Sequence, residues 1–87
     1  MHYWMYDVDN PRRGEGGPGC SYVDENGEEA MTDEDEPIVG RCVKVYSLSR
    51  WWRTSTVTEI LTREQKAKNL EITFKTHNSI YRWVRSS

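Results

Sequence analysis

The sequence predicts a small, mainly β domain. Three observations carry this. LEITFKT alternates strictly, with Leu70, Ile72 and Phe74 on one face and Glu71, Thr73 and Lys75 on the other. HYWMYDVD, RTSTVTEIL and IYRWVR are dense in β-branched and aromatic residues. No window carries an apolar period of 3.6 residues.

The elements follow in chain order. Tyr3 to Val8 reads as a strand that Asn10-Pro11 ends. RRGEGGPGC packs four glycines and a proline into a few positions and is expected to be a loop. Asn26-Gly27 marks a hairpin turn, but its flanks are mostly Asp and Glu, so that hairpin should be weak and exposed. Four acids in a row then run up to Pro37. Residues 10–37 are therefore expected to form one long acidic, glycine-rich loop. Ile38 to Leu48 and Arg53 to Leu61 read as strands, and Arg63 to Asn69 as a polar turn with room for one helical turn. LEITFKT, a turn at His77-Asn78-Ser79, and the strand Ile80 to Arg85 complete the chain. The expected result is one domain over 1–87. Its parts are an N-terminal strand (1–9), the acidic loop (10–37) and an antiparallel core (38–87), folded as a bent sheet or partly open SH3-like or OB-like barrel.

A net charge of −2 conceals a division. Residues 1–37 hold two basic and eleven acidic side chains, a net −9; residues 38–87 hold ten basic and three acidic, a net +7. Either the halves dock on each other or a charged partner is implied. The eight acids Asp24, Glu25, Glu28, Glu29, Asp33, Glu34, Asp35 and Glu36 repel one another and call for a basic surface, the chain's own or a partner's.

No apolar run approaches the roughly 20 residues that span a bilayer, and the N-terminus lacks a basic stretch followed by an apolar one, so a cytoplasmic location is expected. Without a secretion signal, Cys20 and Cys42 are expected to be reduced thiols rather than a disulfide. His2, His77 and the two cysteines have no metal-ligand spacing, and GEGGPG lacks the Lys-Ser/Thr that completes a phosphate loop. No metal, cofactor or catalytic residue is expected.

SRWWRTSTV leaves a binding surface as the functional candidate. In a strand, Trp51 and Trp52 must face opposite ways, so one ring belongs to the core and the other to solvent or a partner. Ten aromatic side chains exceed what so small a core can bury. The expected contact residues are Arg50, Trp51, Trp52 and Arg53, together with Tyr81, Arg82, Trp83 and Arg85, with the acidic run as a second contact arm. Trp, Tyr and Arg dominate protein–protein hot spots, and the same residues build stacking platforms for single-stranded nucleic acid.

The back half also resembles small proteins of phage and prophage genomes. In these, a strand containing T-S-x-V, here Thr54-Ser55-x-Val57, precedes a strand ending T-x-N-S-x-Y, here Thr76-x-Asn78-Ser79-x-Tyr81. The match spans about residues 41–84. The resemblance implies a phage-type accessory protein, of the kind that includes anti-CRISPR-like inhibitors of bacterial defence. Such a protein would act without catalysis, by binding a defence protein or sequestering its nucleotide signal. The alternative expectation is a small barrel that binds single-stranded nucleic acid for phage regulation. Self-association is compatible with either.

Overall fold

In a computed structural model of the chain, residues 1–29 and 35–87 are described. They form eight antiparallel strands: β1 (His2–Asp7), β2 (Asn10–Gly17), β3 (Gly19–Val23), β4 (Cys42–Tyr46), β5 (Trp51–Arg53), β6 (Val57–Lys66), β7 (Asn69–Thr76) and β8 (Ile80–Ser86). The strands make two sheets, β2-β1-β8-β7-β6 and β3-β4-β5, not a closed barrel. The mainly β expectation therefore holds, with the sheet divided in two.

Alternation decides the core. Tyr3 and Met5 of β1, Leu70, Ile72 and Phe74 of β7, and Tyr81 and Trp83 of β8 turn inward from the large sheet. Tyr22, Val43 and Val45 meet them from the small sheet. The β7–β8 register places Phe74 opposite Tyr81 and Ile72 opposite Trp83. Directly opposed residues share a face, so the aromatic side of β8 follows the apolar side of β7 into the core.

The expectation of a loop over residues 10–19 is overturned. Asn10–Gly17 is an edge strand paired with β1, and β3 begins at Gly19. Side-chain pattern could not reveal β2, because its pairing is carried by backbone and its missing side chains make room for other groups. A Cβ at Gly16 would lie 2.4 Å from the Trp4 ring, and one at Gly17 2.2 Å from the Tyr46 carbonyl oxygen. Glycine here lets two parts of the chain approach a bare backbone. The Gly17-Pro18-Gly19 step then carries the chain from one sheet to the other.

The turns differ from expectation in two places. Arg63 to Lys66 extend β6, and only Ala67-Lys68 remains as a two-residue turn, with Ala67 at φ 46°. Irregular register at Val57/Glu59 and Ile60/Thr62 kinks this long edge strand, a device that discourages edge-to-edge pairing. The Arg53–Leu61 segment is also broken: β5 ends at Arg53, and Thr54–Thr56 cross between the sheets before β6. The weak hairpin at Asn26-Gly27 is present, closed by a single bridge between Val23 and Glu29, with Gly27 at φ 84°.

Cys20 and Cys42 are free thiols. Cys20 stands opposite Val45 and Cys42 opposite Val23, so they lie on opposite faces of the β3–β4 ladder.

Candidate binding surface

The β4–β5 hairpin resolves the tryptophan pair. Val45 pairs with Trp52 and Tyr46 with Trp51. Val45 is buried, so Trp52 turns inward; its ring meets Tyr81 edge-on at 5.3 Å, and the Arg13 guanidinium covers it at 5.3 Å. Trp51 turns outward and is 65% exposed.

Three neighbours on that outward face were not anticipated. Lys44 stands opposite Arg53 in the ladder, and its ammonium lies 5.1 Å from the Trp51 ring and 5.7 Å from the Tyr46 ring. Both distances are within cation–π range. The turn at Ser47–Arg50, held by the Ser47 N–H donating to the Arg50 carbonyl at 2.8 Å, leaves Leu48 wholly exposed. Among the described residues, Lys44, Arg50 and Arg53 make no ion pair. The outcome is a basic, aromatic face with an aliphatic tip. Placing the turn at Ser47–Arg50 from Val45, Tyr46 and Trp51 was the step that would have exposed it in the sequence.

The other expected contact residues separate. Tyr81 and Trp83 are buried in the core and present no contact surface. Their assignment to the binding face is corrected: β8 has two faces, and β7 claims the aromatic one. Arg82 lies on the outer face of the large sheet, where it donates to Glu71 at 2.7 Å and to Thr73 at 3.4 Å. Arg85 donates to the Asp35 carbonyl and lies 3.8 Å from its carboxylate.

The acidic arm is partly consumed within the molecule. The Tyr3 and Tyr22 hydroxyls both donate to the Asp35 carboxylate, and Arg63 makes a two-pronged bond to Glu36 at 2.7 and 3.0 Å. Asp24 caps its own turn by accepting from the Asn26 and Glu28 N–H groups, while Glu29 accepts from Ser21. Glu25 and Glu28 are exposed. Asp33 and Glu34 lie outside the described residues. So Asp35 and Glu36 serve as an internal clasp, the option in which the two halves dock on each other.

The clasp gives its neighbours unusual acidity. Burial, the Asp35 acceptor and its negative charge hold the Tyr3 phenol protonated far above its ordinary range. Burial does the same for Tyr22, helped by nearby Cys20. Burial pushes the Cys20 thiol up to about 11. None of these groups is a ready nucleophile at neutral pH.

A polar cleft of about 510 Å³ opens beside this face. The β5–β6 crossing and the β7–β8 turn form it, joined by the Asn78 amide donating to the Ser55 hydroxyl at 2.8 Å. Thus T-S-x-V and T-x-N-S-x-Y, far apart in sequence, come together in space. Cys42 and His77 both line the cleft, yet the Cys42 sulfur has Thr56 Oγ1 as its polar neighbour at 3.7 Å, and no Cys–His hydrogen bond forms. Among the described residues there is no cluster of three metal-ligating side chains and no helix long and apolar enough to cross a membrane. No protein-family model, curated protein or solved structure matches the chain.

Proposed function

We propose that the protein is a non-enzymatic inhibitor that binds a protein of a bacterial immune system through the outer face of its small sheet. The exposure of Trp51 next to Leu48 supports a protein target. An exposed tryptophan and a wholly exposed leucine on one hairpin offer apolar area that a protein partner would cover. Burying one such ring is worth about 2–3 kcal/mol at a hot spot. Lys44, Arg50 and Arg53 would then select an acidic patch on the target and speed encounter. The bacterial target rests on the phage resemblance.

A second reading is favoured by the Lys44, Tyr46 and Trp51 cluster: a stacking platform for single-stranded nucleic acid or a nucleotide signal. One experiment separates the two. The chain is used as bait in host lysate beside Trp51→Ala and Leu48→Asp variants, and titrated with labelled oligonucleotides at two salt concentrations. Recovery of an immune effector by the parent chain and not by the variants supports the protein target. Oligonucleotide binding that falls steeply with salt replaces it with the second reading. Equal recovery by parent and variants removes this face from consideration.

A further inference from the structure

Of the cleft beside the binding face, only Arg53 takes part in that proposal. Its volume lies in the range of small-molecule sites. What singles it out is the state of its hydrogen-bonding groups.

Thr54 is already spent: its hydroxyl donates to the Ser55 carbonyl at 2.7 Å and accepts from the Val43 N–H at 3.1 Å. The next two residues are not. Among the described residues, the backbone N–H groups of Ser55 and Thr56 make no hydrogen bond. The Ser55 hydroxyl accepts from Asn78 and keeps its own proton to donate. Arg53 contributes a guanidinium without an ion pair, and the His77 ring lines the facing wall. Two successive free N–H groups, a free hydroxyl proton and a guanidinium form a set rich in donors. The ionised oxygens of a phosphate group, which are acceptors, meet it in kind.

Glu25 is the exception, since its carboxylate also lines the cleft. It opposes a bare anion. It suits a larger ligand whose body carries a hydroxyl or amine to donate to it.

We infer that this cleft binds the phosphate group of a small phosphate ester. Arg53 and the Ser55-Thr56 segment hold the phosphate, and Glu25 accepts from the body of the ligand. Arg53 is shared with the target-binding face, which joins the two surfaces. The inference does not otherwise rest on the proposed function.

The test is amide NMR of the full chain titrated separately with inorganic phosphate, adenosine monophosphate and adenosine. Phosphate and the monophosphate should shift the Ser55 and Thr56 amides, and adenosine should not. Tighter binding of the monophosphate identifies an ester as the ligand; equal affinity identifies free phosphate. Arg53→Gln should weaken both about tenfold or more, the loss of one charge-assisted contact. Glu25→Gln should tighten inorganic phosphate about threefold, a gain that misfolding cannot mimic. Trp51→Ala should leave phosphate binding within about twofold, since that ring lies outside the cleft. Silence of Ser55 and Thr56 at millimolar phosphate and monophosphate overturns the inference. So does binding that ignores both Arg53→Gln and Glu25→Gln.

Discussion

The two sheets turn opposite kinds of surface to the outside. On the large sheet the charges answer one another: Arg82 is bonded to Glu71, and Lys66 lies 3.3 Å from both Glu64 and Glu71. On the small sheet Lys44, Arg50 and Arg53 have no ionic partner among the described residues, and the Trp51 ring beside them is exposed. Both faces belong to strands over the same core. The first carries ion pairs of its own beside a half-exposed Trp4; the second carries three cations with no ionic partner among the described residues, around a tryptophan that is 65% exposed. That contrast is what favours the small-sheet face as the proposed contact.

The sharpest way to break the comparison is to exchange the roles of its tryptophans. Trp83 is fully buried against Tyr3, with ring centroids 5.9 Å apart. Trp83→Ala should cost about 3–5 kcal/mol, enough to unfold a domain of this size. Urea denaturation followed by circular dichroism checks it. A folded Trp83→Ala protein would mean that the core does not depend on the face of β8 assigned to it.

The clasp comes next. Asp35→Ala strips an acceptor from the Tyr3 and Tyr22 hydroxyls and a carboxylate from Arg85. A loss of about 1–3 kcal/mol is expected, the penalty for leaving partly buried donors unanswered. Tyr22→Phe, which removes one of the donors, should cost less. If both variants match the parent, the clasp is ornamental and the acidic arm is free to serve as a contact.

Acidity tests the same region with no mutation. The folded Cys20 thiol titrates at about 11 against 9.0 for a free thiol, and the Tyr3 and Tyr22 phenols are shifted in the same direction. A raised pKa in the folded state means that stability is fully present below the unfolded value and drains away as pH rises toward the folded one. Cys20 alone should remove about 2 kcal/mol by pH 11. The large sheet responds at the other end of the scale. Its bond to Arg82 holds the Glu71 carboxyl below the usual range, so that contribution is lost as pH falls through the lowered value, beneath about 4.5. Unfolding midpoints measured across pH should fall at both extremes, and Cys20→Ser should flatten the alkaline limb.

Much of this was legible in the sequence where side chains carry the signal. LEITFKT and IYRWVR alternate against a buried face, and their strands are β7 and β8. Alternation also placed Trp51 and Trp52 on opposite sides. What failed is what alternation cannot carry. Tyr81 and Trp83 are expected at a surface because either face of β8 satisfies the pattern, and only the opposing Phe74 and Ile72 choose between them. β2 was invisible because Gly14, Gly16 and Gly17 contribute backbone to the ladder and empty space to Trp4 and Tyr46. The cleft was beyond reach for another reason. Glu25 and Asn78 join Arg53 and Ser55 only after two sheets have formed.

The smallest expected effect on stability is the most informative for function. Trp51→Ala should change unfolding free energy by less than about 0.5 kcal/mol, because the ring meets solvent and the Lys44 ammonium rather than the core. Trp52→Ala, one residue away, loses the edge-on contact with Tyr81 and the cover of Arg13, and should cost about 1–3 kcal/mol. The pair is therefore an internal control: adjacent residues, identical side chains, opposite faces. Acrylamide quenching of the two single-substitution proteins adds a direct view, since removing Trp51 should lower the quenchable fraction more than removing Trp52. A Trp51→Ala protein as unstable as Trp52→Ala would show that the outer ring is structural. The small sheet would then be as self-sufficient as the large one, and the contrast from which the binding face was drawn would disappear.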